Sequence, residues 1–103
     1  MKIYNKEIDI SIVDAETIGI GNSGLPLLGR FVMIDTRPFI QLLDSQTTET
    51  MVETLAHELA HALIYLFAYQ DKMKEEQVCD FVGSHYREIN RVINEFVGKG
   101  VNE

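Results

Sequence analysis

Thr54-Leu55-Ala56-His57-Glu58-Leu59-Ala60-His61 lies inside a long run of helical periodicity, and its reading decides how the rest of the chain is arranged. On a helix, residues four apart stand on one face about one turn from each other, so the rings of His57 and His61 can converge on one ion. Around them Val52, Leu55, Leu59, Ala62 and Leu66 form one apolar ridge, and Ala56, Ala60, Leu63 and Phe67 form another beside it. The remaining side carries Glu53, Thr54, His57, His61 and Tyr65. A helix with two apolar sides and one polar side is expected to be both the centre of the core and one wall of a cleft. Thr50-x-x-Glu53 has capping-box spacing, which starts the helix between Thr47 and Thr50, and polar Gln70-Asp71-Lys72 ends it near Tyr69.

Upstream, residues Met1 to Val13 set Ile8, Ile10 and Ile12 against Glu7, Asp9 and Ser11, the alternation of a half-buried strand, with Asn5-Lys6 turning a short hairpin ahead of it. After a break at Asp14-Ala15-Glu16, a second short strand is expected from Thr17 to Ile20. The loop from Gly21 to Gly29 follows. Gly19-x-Gly21 has neither a helix directly after it nor a third glycine in place, so it is a strand connection rather than a phosphate cradle. Leu25, Leu27 and Leu28 are placed to cover a cleft. Arg30 to Asp35 reads as a strand, with Phe31 and Met33 opposing Val32 and Ile34. Thr36-Arg37-Pro38 closes it, and Pro38 is positioned to open a short helix through Leu43. Beyond the histidines, a last helix is expected from Lys74 to Val97. Its seam is Val78, Val82, Ile89, Val92 and Phe96, Gly98 stops it, and Lys99 to Glu103 form a frayed tail.

At 103 residues and 46% apolar content, one modest core is expected, and hence a single domain over residues 1–103. The fold class is α+β. There are 9 basic against 16 acidic residues, net charge −7, without a basic cluster, which argues against nucleic-acid binding and reads most simply as solubility. The lone Cys79 has no partner for an internal disulfide, and the amino terminus lacks a leader pattern, so a reducing cytoplasm is expected. The longest apolar run, near His61 to Tyr69, falls far short of the roughly 20 residues that cross a bilayer.

Two histidines do not complete a catalytic zinc site, which takes a third protein ligand and keeps one position open. Glu58, next to His57, stands beside such an ion rather than on it, where it can take a proton from water. The candidates for the third ligand are Glu75, Glu76, Asp80 and His85 on the following helix. Glu75 shares a side with Val78 and Val82. Glu76 shares one with Cys79, Asp80 and Gly83, where small residues let two helices approach, so Glu76 is preferred and Glu75 stays open. Asp80 is placed to accept the ring N–H of a ligating histidine. Against this stand plainer readings: ordinary helix histidines, a solvated charged face, and a Cys79 that is a small helix contact with nothing basic beside it in sequence to activate it. Thr54 can hydrogen-bond in the site or back to a helix carbonyl.

His57-Glu58-Leu59-Ala60-His61, followed by Glu76-Gln77-Val78-Cys79-Asp80-Phe81-Val82-Gly83, resembles the ImmA/IrrE-type metallopeptidases and their small phage-encoded relatives, within the wider gluzincins. The second motif of that family is Glu-x-x-small-Asn/Asp-x-apolar-small, and Glu76, Cys79, Asp80, Val82 and Gly83 occupy its positions in turn. The resemblance spans Thr50 to Gly83. It implies a zincin-like fold: a small antiparallel sheet packed on the active-site helix, a C-terminal helix carrying the third ligand, and an edge strand, here Arg30 to Asp35, that aligns an extended peptide. It implies zinc-dependent peptide hydrolysis with His57, His61 and Glu76 holding Zn²⁺ and Glu58 as general base. His85, Tyr86 or Tyr65 is then the expected oxyanion donor, and a phage or host regulatory protein the expected substrate. The alternatives are a non-catalytic zinc-bound interaction module and a metal-free helical adaptor.

Overall fold

The computed structural model describes the backbone of residues 1–67 and 75–98 and the side chains of residues 1–66 and 83–98. The elements run β1 (Lys2–Ile3), β2 (Lys6–Glu7), β3 (Asp9–Val13), α1 (Ala15–Ile18), β4 (Gly29–Ile34), β5 (Arg37–Leu43), α2 (Thr48–Phe67) and α3 (Glu75–Phe96). The α+β class expected from sequence is present. The expected end of one helix at Tyr69, the start of the next at Lys74 and the tail from Lys99 to Glu103 lie outside the described residues.

β1 and β2 form an antiparallel hairpin about Tyr4 and Asn5, and a separate three-stranded sheet has the order β3-β5-β4. β5 is central. β3 runs parallel to it, with Asp9 opposite Phe39 and Val13 opposite Leu43, whereas β4 is antiparallel, with Gly29 opposite Leu42 and Ile34 opposite Arg37. The sheet is therefore mixed rather than antiparallel. On β3 the expected alternation holds for Ile8, just before the strand, and Ile10, but Ile12 on this edge strand is 44% exposed.

The helix expected from Pro38 to Leu43 is instead the strand β5. Pro38 fits there because its missing N–H has no ladder bond to make. Leu43 N–H donates to Leu28 O at 2.8 Å, and in that register the bonded pairs are Arg30–Gln41, Val32–Phe39 and Ile34–Arg37. Met33–Pro38 is then a non-bonded pair, and β3 joins only from Phe39. Asp35 and Thr36 connect β4 to β5 with φ of 50° and 65°, the two left-handed residues of a type I′ hairpin turn. The usual Asn-Gly marker of such a turn is missing, which hides the hairpin in the sequence.

The strand expected from Thr17 to Ile20 is replaced by the single helical turn α1. Asp14 caps it: its Oδ1 accepts the Thr17 N–H at 2.8 Å, and this bonding holds its carboxyl below the usual carboxylate range. α2 begins at Thr48, within the expected Thr47 to Thr50, but its cap is Thr47, whose Oγ1 accepts the Thr50 N–H at 3.2 Å, so the Thr50-x-x-Glu53 pattern lies inside the helix.

One apolar cluster joins Leu55, Leu59, Ala62 and Leu63 of α2 to Ile40 and Leu42 of β5, to Ile3 and Ile8, and to Ile89, Val92, Ile93 and Phe96 of α3. Ile89, Val92 and Phe96 are the expected seam of α3; the side chains of Val78 and Val82 lie outside the described ones. The β1–β2 hairpin is strapped to α3 by Arg91, which donates to Lys2 O at 2.6 Å and pairs with Glu88 at 2.7 Å and Glu95 at 3.1 Å, while Tyr4 N–H donates to Glu88. The Arg91 guanidinium holds the Glu88 carboxyl below its ordinary range. Among the described residues no helix is long and apolar enough to cross a membrane.

A β-branched residue in the left-handed region is strained, and glycine relieves that strain at the cost of a looser unfolded chain. Thr36→Gly is expected to raise stability by about 0.5–1 kcal/mol, seen as a higher urea midpoint at unchanged slope.

Candidate metal centre and cleft

The polar side of α2 is pressed against the start of β4 at a residue without a side chain. A Cβ on Gly29 would lie 2.5 Å from Thr54 Cγ2, 3.3 Å from Glu58 Cγ and 3.3 Å from Gln41 O. Glycine is required by this close approach, and through it two polar residues of α2 become buried, Thr54 at 9% and Glu58 at 7% exposure. Gln46 fixes the junction. Its Nε2 donates to Leu28 O at 2.8 Å and Leu43 O at 2.9 Å, and its Oε1 lies 2.9 Å from the Thr54 hydroxyl, which is also 2.9 Å from Thr50 O. Thr54 thus bonds back to its own helix and outward to this clip. Sequence reading passed over Gln46, a polar residue in a polar stretch; its only signal is position, just ahead of the helix cap.

His57 and His61 stand on the exposed side of α2 with Nε2 atoms 3.1 Å apart, ring centroids at 4.7 Å and planes crossing at 77°. Two nitrogens bound at about 2.0–2.1 Å to a tetrahedral zinc are about 3.3–3.4 Å apart, so the pair already has nearly the spacing of two ligands on one ion. The same 3.1 Å is a hydrogen-bond distance between the two rings, and two imidazoles are donors of a kind that zinc accepts. Among the described residues no group of three or more His, Cys, Asp or Glu converges to hold a metal. Glu76, the expected third ligand, and Glu75 belong to the first turn of α3, and their side chains, like those of Cys79 and Asp80, lie outside the described ones.

Glu58, next to His57 on α2, lies against Gly29 of β4. Burial pushes its carboxyl above the ordinary glutamate value, while His57 and His61 pull in the opposite direction. A carboxylate that is harder to keep ionised is a better proton acceptor than one in water.

Two hollows meet at Gly29 and Glu58. One, of about 410 Å³, lies toward the start of α2 and is lined by Leu28, Thr50, Glu53, Thr54 and His57 as well. The other, of about 350 Å³, lies toward its end, between Leu27, Arg30, Phe31, His61 and Tyr65. Leu27 and Leu28 thus border the cleft as expected, whereas Leu25 is 67% exposed and lines neither hollow. β4 is an edge of its sheet, as anticipated for the strand beside the site. In its register with β5, the backbone groups of Gly29, Phe31 and Met33 turn outward, away from β5.

The three expected oxyanion donors separate. Tyr65 shares the second hollow with His61 and Glu58, its ring 5.8 Å from that of Phe31. His85 is hydrogen-bonded through Nδ1 to the Tyr4 hydroxyl at the hairpin strap, and Tyr86 is 51% exposed with its hydroxyl 3.5 Å from Arg87 Nε. Neither lines the two hollows.

Comparison with known proteins yields no match: no family model, no curated protein and no solved structure is significantly similar to the chain.

Gly29→Ala is expected to destabilise the protein by about 1–3 kcal/mol, because Thr54 and Glu58 must give way to the added methyl. Urea unfolding measures the cost. The histidine ring resonances in an NMR spectrum should shift at His57 and His61 but not at His85.

Proposed function

We propose that the chain is a zinc-dependent metallopeptidase of the gluzincin kind, with a zincin-like arrangement of sheet and helices as in the ImmA/IrrE-type proteins whose motifs it resembles. The observation that carries this reading is the convergence of His57 and His61 at 3.1 Å on the same helix as a buried Glu58, where two hollows meet. His57, His61 and Glu76 would hold the ion. Bound there, zinc supplies a Lewis acid that acidifies water and polarises a carbonyl group.

The work of the chain's own residues follows from their surroundings. The outward-turned backbone groups of Gly29, Phe31 and Met33 bind an extended peptide by strand addition, which holds the scissile bond along α2. Glu58, its basicity raised by burial, removes a proton from the attacking water and returns it to the leaving amine. The Tyr65 hydroxyl, in the same hollow as His61, is the donor best situated to stabilise the developing oxyanion. The family resemblance extends the proposal to a phage or host regulatory protein as substrate, met in a reducing cytoplasm.

Zinc-loaded protein should cleave unstructured peptides. Glu58→Gln is expected to lower kcat by about 10²–10⁴-fold while retaining the metal, and replacement of both His57 and His61 by Ala should abolish zinc uptake, measured by metal analysis. A fully active Glu58→Gln protein would remove Glu58 as the base. Partner binding that survives Glu58→Gln and disappears on chelation, without any cleavage, would mark a non-catalytic zinc-bound interaction module instead.

A further inference from the structure

The two hollows beside Glu58 differ in charge. On the Tyr65 side the walls are Leu27, Phe31 and Tyr65, with Arg30 at the edge. On the other side, among the described residues and apart from Glu58 itself, the one carboxylate is Glu53, and no described Lys or Arg lines the hollow. Glu53 precedes His57 by one turn on the same side of α2 and is exposed. Its sequence setting suggests a local task, closing a capping box with Thr50, but Thr47 caps α2 and no described side chain forms an ion pair with Glu53. The carboxylate therefore stands at the wall of a cleft without the structural role its pattern implies. Leu28, 49% exposed, forms an apolar wall of the same hollow. A volume of about 410 Å³ is within the ordinary size of clefts that take small ligands, about 300–1,000 Å³.

We propose that this hollow is a specificity subsite in which Glu53 selects a lysine or arginine side chain of the peptide, close to the bond that Glu58 serves. A long basic side chain matches both features of the hollow: its aliphatic stem lies along Leu28, and its cationic head reaches Glu53 near solvent. A carboxylate-bearing side chain would meet like charge from both Glu53 and Glu58. The net charge of −7 adds a general attraction for basic peptides, and the Glu53 subsite converts it into a preference at one position. The inference rests on the groove being a peptide-binding cleft.

The test separates the subsite from bulk charge and from catalysis. Zinc-loaded Glu58→Gln protein, which leaves the peptide intact, is titrated at low ionic strength with two fluorescent peptides of about ten residues. One alternates alanine with lysine and the other alanine with glutamine, each about a central phenylalanine, and binding is read by anisotropy. The lysine peptide should bind more tightly. Adding Glu53→Gln should reduce that preference about fivefold, the scale of one close charge pair near water, and Glu53→Lys should reduce it further. Glu16→Gln, the same charge change on the exposed surface of α1, should leave the preference in place. Equal losses in Glu53→Gln and Glu16→Gln, an unchanged preference in Glu53→Gln, or no binding of either peptide would overturn the proposal. The same peptides are then offered to zinc-loaded protein with Glu58 intact. Glu53-dependent binding without cleavage would defeat the peptidase reading alone, and cleavage with a Glu53-independent preference would defeat the subsite alone.

Discussion

The contact on which the rest of this structure depends is the approach of α2 to β4 at Gly29. With no Cβ at that position, Thr54 and the stem of Glu58 lie directly against the strand. Three consequences follow from the one contact. Glu58 leaves solvent, His57 one residue before it and His61 three residues after it remain at the surface, and the line between helix and edge strand opens into hollows on both sides. A side chain at residue 29 would separate helix and strand at Thr54 and Glu58.

Polar groups drawn into such a junction need partners, because an unmet buried donor or acceptor costs more than a made hydrogen bond returns. Gln46 meets that demand by bonding at once to the beginning of β4, the end of β5 and α2. Among the described residues no buried side-chain nitrogen or oxygen is left without a partner. Glu58 shows the opposite balance. Its burial is unfavourable for the charged form, and the nearby imidazoles offset only part of that cost.

Much of this was legible in the residues themselves. The period of α2 placed His57 and His61 on one face and Leu55, Leu59 and Ala62 on another, because a long amphipathic helix has a strong and repeated signal. The strand β4 followed from alternation; its edge position was implied by the family resemblance, and the nearness in sequence used to assign it does not hold, since the central strand β5 lies between β4 and α2. The failures lie where a local signal was missing or shared between two structures. Asp35-Thr36 makes a hairpin turn without glycine, so Pro38 looked like the start of a helix when it was a strand residue in a non-bonded pair. Asp14 fits a helix cap as well as a strand break, and α1 is too short for periodicity to decide. The parallel pairing of β3 with β5 has no sequence signature at this length, since five residues of alternation fit either direction. The role of Gly29 was invisible because a close approach belongs to tertiary packing.

The central claim is that His57 and His61 are two ligands of one zinc ion that keeps a position open beside Glu58. Zinc K-edge X-ray absorption on the protein titrated with one equivalent of zinc tests it most directly. The expected spectrum has two imidazole nitrogens and light oxygen donors at about 2.0–2.1 Å, lost when both histidines are replaced by alanine. A sulfur scatterer at about 2.3 Å, which would place Cys79 on the metal, or an unchanged spectrum without the two histidines, would contradict it.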